Sequence, residues 1–149
     1  PWKNPEFSSL IVSMALFAMG GLISFAIGGY NTKIPAHYHG VIGAVTVSFM
    51  GMTYCLIKSL GRGLYSQRLA SIQPYVYGIG QALFVIGMFW AGSHGVARKS
   101  FGAEQGLDDP MKVLSMIVFG LGGLIAIAGG VMFVMNAGVS LLRKKPAMQ

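Results

Sequence analysis

Four stretches of this chain carry no Asp, Glu, Lys or Arg for long enough to cross a lipid bilayer: Glu6 to Lys33, Lys33 to Lys58, Arg68 to Arg98, and Lys112 to Arg143. A spanning helix needs roughly 20 residues. An isolated strand cannot satisfy its backbone groups in hydrocarbon, so each stretch must be helical. The expectation is an all-α membrane protein with four transmembrane helices, at about 7–29, 35–58, 72–94 and 112–142, in a single transmembrane domain over 1–149. Composition agrees: 54% of the 149 residues are hydrophobic and four are acidic, far from the soluble-domain norm of about 25% charged.

The formal charge of +7 invites a nucleic-acid reading, but the placement of the cations argues for topology instead. Seven of the eleven, Lys3, Lys58, Arg62, Arg68, Arg143, Lys144 and Lys145, fall on one side if four helices alternate. The other side receives Lys33, Arg98, Lys99 and Lys112, diluted by Glu104, Asp108 and Asp109. The positive-inside rule then puts both termini in the cytoplasm, and no nucleic-acid partner is expected. The first segment is too long for a signal peptide and lacks a cleavage signature, so it should remain as a helix. A lone Cys55 excludes an internal disulfide and reads as a small buried residue. No Asp or Glu is expected inside any helix, which leaves no carboxylate proton relay.

Chemistry concentrates at the start of the second helix. Asn31 or Thr32 can cap it, and Pro35 suits its first turn. His37 and His39 follow, in a chain with only three histidines. Two positions apart on a helix are rotated by about 200°, so these imidazoles face opposite ways. They cannot easily share one zinc or copper ion, but a helix carrying them can stand between two planar cofactors and give each an axial nitrogen. That is a haem arrangement.

The third helix ends in Trp90-Ala91-Gly92-Ser93-His94-Gly95-Val96-Ala97-Arg98-Lys99, and helix parity returns it to the side of His37 and His39. Arg98 and Lys99 suit haem propionates or simple anchoring at lipid headgroups. His94 suits interfacial hydrogen bonding first, then a propionate contact, with iron ligation a distant third. Trp2, Tyr30, Tyr38 and Trp90 fit an aromatic belt. The glycines of helices one and four, and Asn136, read as packing.

At these residues the chain resembles the last four of the twelve helices of catalytic subunit I in the haem-copper oxidase superfamily. Asn31-Thr32-Lys33-Ile34-Pro35-Ala36-His37-Tyr38-His39 looks like the tenth-helix motif, and Gly92 to Lys99 like the Gly-x-x-x-x-Pro-Arg-Arg turn after the eleventh. The resemblance covers essentially the whole chain and about a third of a usual subunit I. It implies that His37 is the proximal ligand of the high-spin haem and His39 an axial ligand of the low-spin haem. Tyr38 stands between the macrocycles, and Arg98 and Lys99 pair with propionates. Ala97 and Lys99 replace the usual Pro and second Arg, and Gly28 to Asn31 stand where many relatives carry a metal-binding His-Asp pair.

Only His94 remains to complete a second ligand, so further ligands must come from elsewhere. The resemblance therefore implies a split or fragmentary subunit I. A partner membrane chain would supply the other helices and the copper ligands, and the two chains would share two haems of a, b or o type. A subunit II-like electron-entry protein, with cytochrome c or quinol as donor, would deliver electrons for reduction of dioxygen to water coupled to proton translocation in a bacterial or archaeal cytoplasmic membrane. The chain alone would be inactive. A nitric oxide reductase of the same superfamily, or a non-catalytic haem-binding membrane subunit, are the alternatives.

Overall fold

A computed structural model describes residues 1–143. It contains four helices, α1 Pro5–Ser24, α2 Lys33–Ser59, α3 Gln67–Ser93 and α4 Pro110–Leu142, with a short 3-10 turn at Gly102–Gln105 before α4. All four are long and apolar enough to cross a membrane. Lys144 and Lys145, two of the seven cations assigned above to one side, lie outside the described residues.

The helix ends differ from the charge-based boundaries for local reasons. α1 stops at Ser24, before Gly28 and Gly29. The amides of Phe25, Ala26 and Ile27 switch to carbonyls three residues back, the Ser24 hydroxyl bonds the Gly21 carbonyl at 2.6 Å, and Gly29 takes φ +74°. At its other end α1 begins with Asn4, whose side chain accepts from the Glu6 and Phe7 amides, so Glu6 lies inside the helix after all. It pairs there with Lys58 at 2.7 Å. α3 begins five residues earlier than expected, because Ser66 caps it by accepting from the Leu69 amide, and Arg68 becomes helical. α4 begins at Pro110, with Asp109 accepting from the Met111 amide at 2.9 Å.

Small residues decide which helices approach closely. α3 and α4 pack most tightly of all pairs, and α1 and α4 do not touch among the described residues. Gly80 and Gly87 of α3 lie against the backbones of Ala126 and Phe119, while Gly122 and Gly129 of α4 lie against Phe84 and Tyr77. A Cβ added at Gly129 would sit 2.5 Å from the Tyr77 nitrogen. α1 and α2 cross in the same manner at Gly20 and Gly40, where a Cβ on Gly40 would come 2.7 Å from the Gly20 Cα. In lipid, such seams replace the hydrophobic drive of a water-soluble core.

Polar groups staple the bundle where hydrocarbon gives them no alternative partner. The fully buried Tyr54 hydroxyl donates to Gln73 at 3.2 Å, and the Gln73 amide donates to the Gly129 carbonyl at 3.2 Å. Asn136 is also buried and holds the loop before α3: its oxygen accepts from the Ser66 amide at 3.0 Å and its nitrogen donates to the Ser66 carbonyl at 3.1 Å. The Arg62 guanidinium donates to the Leu141 and Arg143 carbonyls at the end of α4, satisfying groups a helix C-terminus leaves open. Cys55, expected to be buried, is exposed on α2. Many large apolar side chains are exposed as well, among them Leu22, Phe25, Phe49, Leu124 and Val134, as surface facing lipid or other helices requires.

Candidate functional site

α2 opens with a division of labour between Asn31 and Thr32. Asn31 does the capping chemistry, accepting from the Lys33 amide at 3.0 Å. Thr32 occupies the cap position without a capping bond, and its hydroxyl instead donates to the Met88 carbonyl on α3 at 2.7 Å. The Thr32 amide donates to the Val96 carbonyl at 3.1 Å, and Asn31 and Ala97 form an isolated antiparallel bridge. Gly92 permits this approach, since a Cβ there would lie 2.6 Å from the Lys33 nitrogen. The segment after α3 is thereby fastened beside the first turn of α2.

His37 and His39 leave α2 toward different neighbours, as their spacing requires. The half-buried His37 ring turns to α1, with Nδ1 2.8 Å from the Gly20 carbonyl. A carbonyl only accepts, so this contact puts the ring proton on Nδ1 and leaves the Nε2 lone pair available for a metal. The Gly20–Gly40 crossing makes the contact possible, because a Cβ on Gly20 would meet the Val41 nitrogen at 2.8 Å and the His37 carbonyl at 3.0 Å. His39 turns toward α3, edge to face with Phe84 at 5.1 Å between ring centroids. Its ring nitrogens have no hydrogen-bonding partner among the described residues. Its carbonyl accepts from the Gln81 amide at 2.9 Å, and Gln81 reaches it by lying across Gly43. Tyr38 sits between the two histidines, exposed, with its ring 4.8 Å from that of His39.

Arg98 lies on the fastened segment with its guanidinium carbon 4.2 Å from the centre of the Tyr30 ring. Its Nε is buried with no hydrogen-bond partner, an expensive state for a charged group and one that an anion would relieve. Lys99 beside it is exposed and has φ +60°, alone among the described non-glycine residues in that region. His94 ends α3 as its C-cap, exposed, with Nδ1 3.0 Å from the Trp90 carbonyl of its own helix. Lys112 is occupied elsewhere: it donates to Asp108 at 2.8 Å and holds that carboxyl below its ordinary value, first through the hydrogen bond and then through its charge. Lys33 lies over Phe89. The end of the bundle with both histidines thus presents three cations, Lys33, Arg98 and Lys99, without a carboxylate partner among the described residues.

The sequence reading brought His37, His39, Arg98 and Lys99 to one end, and the geometry does the same. It missed the supporting atoms. The Gly20 carbonyl carries no side-chain signal, Phe84 and Gln81 come from a separate helix, and Tyr30 was read as part of an aromatic belt. No three His, Cys, Asp or Glu side chains converge among the described residues. Single imidazoles hold iron well only where a macrocycle supplies the remaining ligands.

No protein-family model matches the chain. An uncharacterized protein of Rickettsia prowazekii is 35% identical over 143 residues, covering 89% of this chain and 28% of that protein. Cytochrome c oxidase subunit 1 of Thermus thermophilus is 27% identical over 146 residues, covering 90% of this chain and 26% of that protein. The structure of a haem-copper terminal oxidase dimer determined by cryo-electron microscopy superposes with a TM-score of 0.79 at 21% identity, over 95% of this chain and 27% of the oxidase chain. The chain resembles haem-copper oxidase subunit I in sequence and has the fold of part of it, spanning about a quarter of the relatives' length rather than a third.

Proposed function

We propose that this chain is the C-terminal, haem-binding part of the catalytic subunit of a haem-copper terminal oxidase. The observation that carries the reading is the paired and oppositely directed His37 and His39, with the His37 tautomer fixed by the Gly20 carbonyl at 2.8 Å. Likeness to the Thermus subunit over 90% of this chain supports it, and so does the oxidase fold.

The residues present fit two haems. His37 would hold the high-spin haem through Nε2, its Nδ1–H bond to a backbone carbonyl keeping the ring in place. His39 would hold the low-spin haem through a ring nitrogen on the other flank of α2, where Phe84 supports the ring and Gln81 fixes the backbone. Tyr38 fills space between the two. Arg98 and Lys99 would bind propionates: the Arg98 plane is held over Tyr30 and its buried Nε lacks an acceptor, while Lys99 would add a point charge. His94 is retained as a weaker propionate contact. When bound, the haems supply electron transfer and, with copper held by ligands outside this chain, reduction of dioxygen to water.

The remaining helices and the copper ligands come from another membrane chain or another part of the same protein. A subunit II-like protein passes electrons from cytochrome c or quinol, both termini of this chain face the cytoplasm, and the turnover conserves energy as a proton gradient across a bacterial or archaeal cytoplasmic membrane. Pyridine haemochrome quantitation with iron and copper analysis on the purified complex tests the reading. Two haems and one copper are expected, with His37→Ala removing high-spin ligand binding and His39→Ala the low-spin spectrum. Non-haem iron in place of copper would make the complex a nitric oxide reductase. A single haem indifferent to one substitution would leave a non-catalytic haem-binding subunit.

A further inference from the structure

At the end of the bundle remote from the histidines, the crevice between α1 and α3 is hollow along most of its length. A cavity of about 680 Å³ opens there, walled by Trp2, Lys3, Gln67, Arg68 and Ser71 and floored by Tyr75. Tyr75 also lines the next hollow, about 200 Å³, between Val12, Ala15, Gly78 and Ala82. Ala15 and Met19 are shared in turn with a third hollow of about 440 Å³ that runs on to Ala26 and Phe89. The first is cationic and polar at its mouth, and the other two are apolar. Side-chain size causes the crevice: Ala15, Ala18 and Ala82 leave a channel where larger residues would close the seam.

We infer that this crevice seats one anionic glycerophospholipid, with its phosphate between Lys3 and Arg68 and one acyl chain laid past Tyr75 along α1 and α3. Charge complementarity fixes the class of occupant. Lys3 and Arg68 are both exposed and form no ion pair among the described residues, and Gln67 and Ser71 add hydrogen-bonding groups beside them. Their convergence is built: the Tyr75 hydroxyl donates to the Trp2 carbonyl at 3.0 Å and accepts from the Ser8 hydroxyl at 3.0 Å, which holds the segment bearing Lys3 against the helix bearing Arg68. The length matches too. From Ser71 to Ala82 α3 rises about 16 Å, roughly half of a 30 Å hydrocarbon layer, so one chain from a headgroup at Arg68 fills the second hollow and ends near the bilayer centre. Trp2 sits at headgroup depth, where its amphipathic ring is favoured.

Native mass spectrometry of the purified membrane protein containing this chain tests the inference, after delipidation and reconstitution with dioleoylphosphatidylglycerol or dioleoylphosphatidylcholine. One tightly held phosphatidylglycerol beyond the number of phosphatidylcholines retained is expected. Lys3→Ala with Arg68→Ala lowers its retention about tenfold to thirtyfold, from two cations at an anionic surface, and leaves phosphatidylcholine unchanged. Ala15→Trp, which fills the channel from its exposed side, removes the retained lipid whatever its headgroup. Equal retention of both lipids by the parent, or of phosphatidylglycerol by the parent and the double variant, would overturn the inference. Photocrosslinking from Ala15→p-benzoylphenylalanine separates the rival occupant: a lipid adduct supports the inference, and an adduct to another polypeptide means a helix fills the crevice.

Discussion

The crossing of α1 over α2 makes a sharp prediction about His37. Gly20→Ala adds a Cβ that would lie 2.8 Å from the Val41 nitrogen and 3.0 Å from both the Gly40 carbon and the His37 carbonyl oxygen. All three are backbone atoms of α2 and cannot rotate aside. To restore an ordinary contact of 3.4 Å, the helices must part by about 0.6 Å, the difference between that distance and the closest approach. A separation of that size stretches the His37 Nδ1 contact with the Gly20 carbonyl from 2.8 Å to about 3.4 Å, past good hydrogen-bond geometry. Overpacking of this kind costs about 1–3 kcal/mol and the hydrogen bond about 0.5–1.5 kcal/mol, so a loss of about 2–4 kcal/mol is expected. Gly21→Ala is the control, because a Cβ there meets nothing within 4 Å. Unfolding of the purified protein in graded sodium dodecyl sulfate measures the stability difference. In haem-loaded protein, resonance Raman spectra of the iron–imidazole stretch report the loss of the Nδ1 bond. If Gly20→Ala matches Gly21→Ala within about 0.5 kcal/mol and leaves the Raman band in place, the reasoning from the crossing is wrong.

Other consequences are as direct. Asn136→Ala strips a buried partner from both the amide and the carbonyl of Ser66, costing about 1–3 kcal/mol for each group left unpaired and speeding proteolysis of the loop before α3, while Asn136→Asp keeps only the acceptor and rescues half of the pair. Gly129→Val forces a side chain into the Tyr77 backbone and should separate α3 from α4, read as loss of a disulfide engineered across that seam. Arg98→Lys keeps the charge but loses the plane stacked on Tyr30; weaker haem retention than in Lys99→Arg is expected, by haemochrome assay after detergent washing. The Lys112 contact lowers the Asp108 pKa in the folded state, so its small stabilising contribution is full above the ordinary carboxylate range and fades as pH falls through the lowered folded value. Asp108→Asn should flatten that acid limb of the stability profile, read from unfolding measured as the pH is lowered.

Hydropathy made the four helices legible because the bilayer imposes a length on any uncharged segment. Their ends were less so, since caps set them: Asn4 brings Glu6 into α1, and Ser66 brings Arg68 into α3. Residue spacing alone predicted that His37 and His39 would diverge, and helix parity that Arg98 would come to their side. What supports them was hidden because backbone atoms and distant residues supply it. The Gly20 carbonyl looks like any other in the sequence, and nothing local connects Phe84 or Gln81 to position 39. Cys55 was misjudged because hydrophobicity reads the same whether a residue faces another helix of its own chain or the surroundings.

The two glycine seams also imply an order of events during biogenesis. α1 with α2, and α3 with α4, are each sequence neighbours fitted along their own line of small residues, so each hairpin can close as it leaves the insertion machinery. The imidazoles belong to the first hairpin and Arg98 to the second, and the Thr32 contacts, the Asn31–Ala97 bridge and the Gln81 and Phe84 contacts of His39 bring them together. On the proposed reading, the imidazoles and the propionate-binding cations therefore lie on different hairpins. If the chain holds haem as proposed, its site would be complete only once the hairpins have docked, which would place haem capture late in assembly.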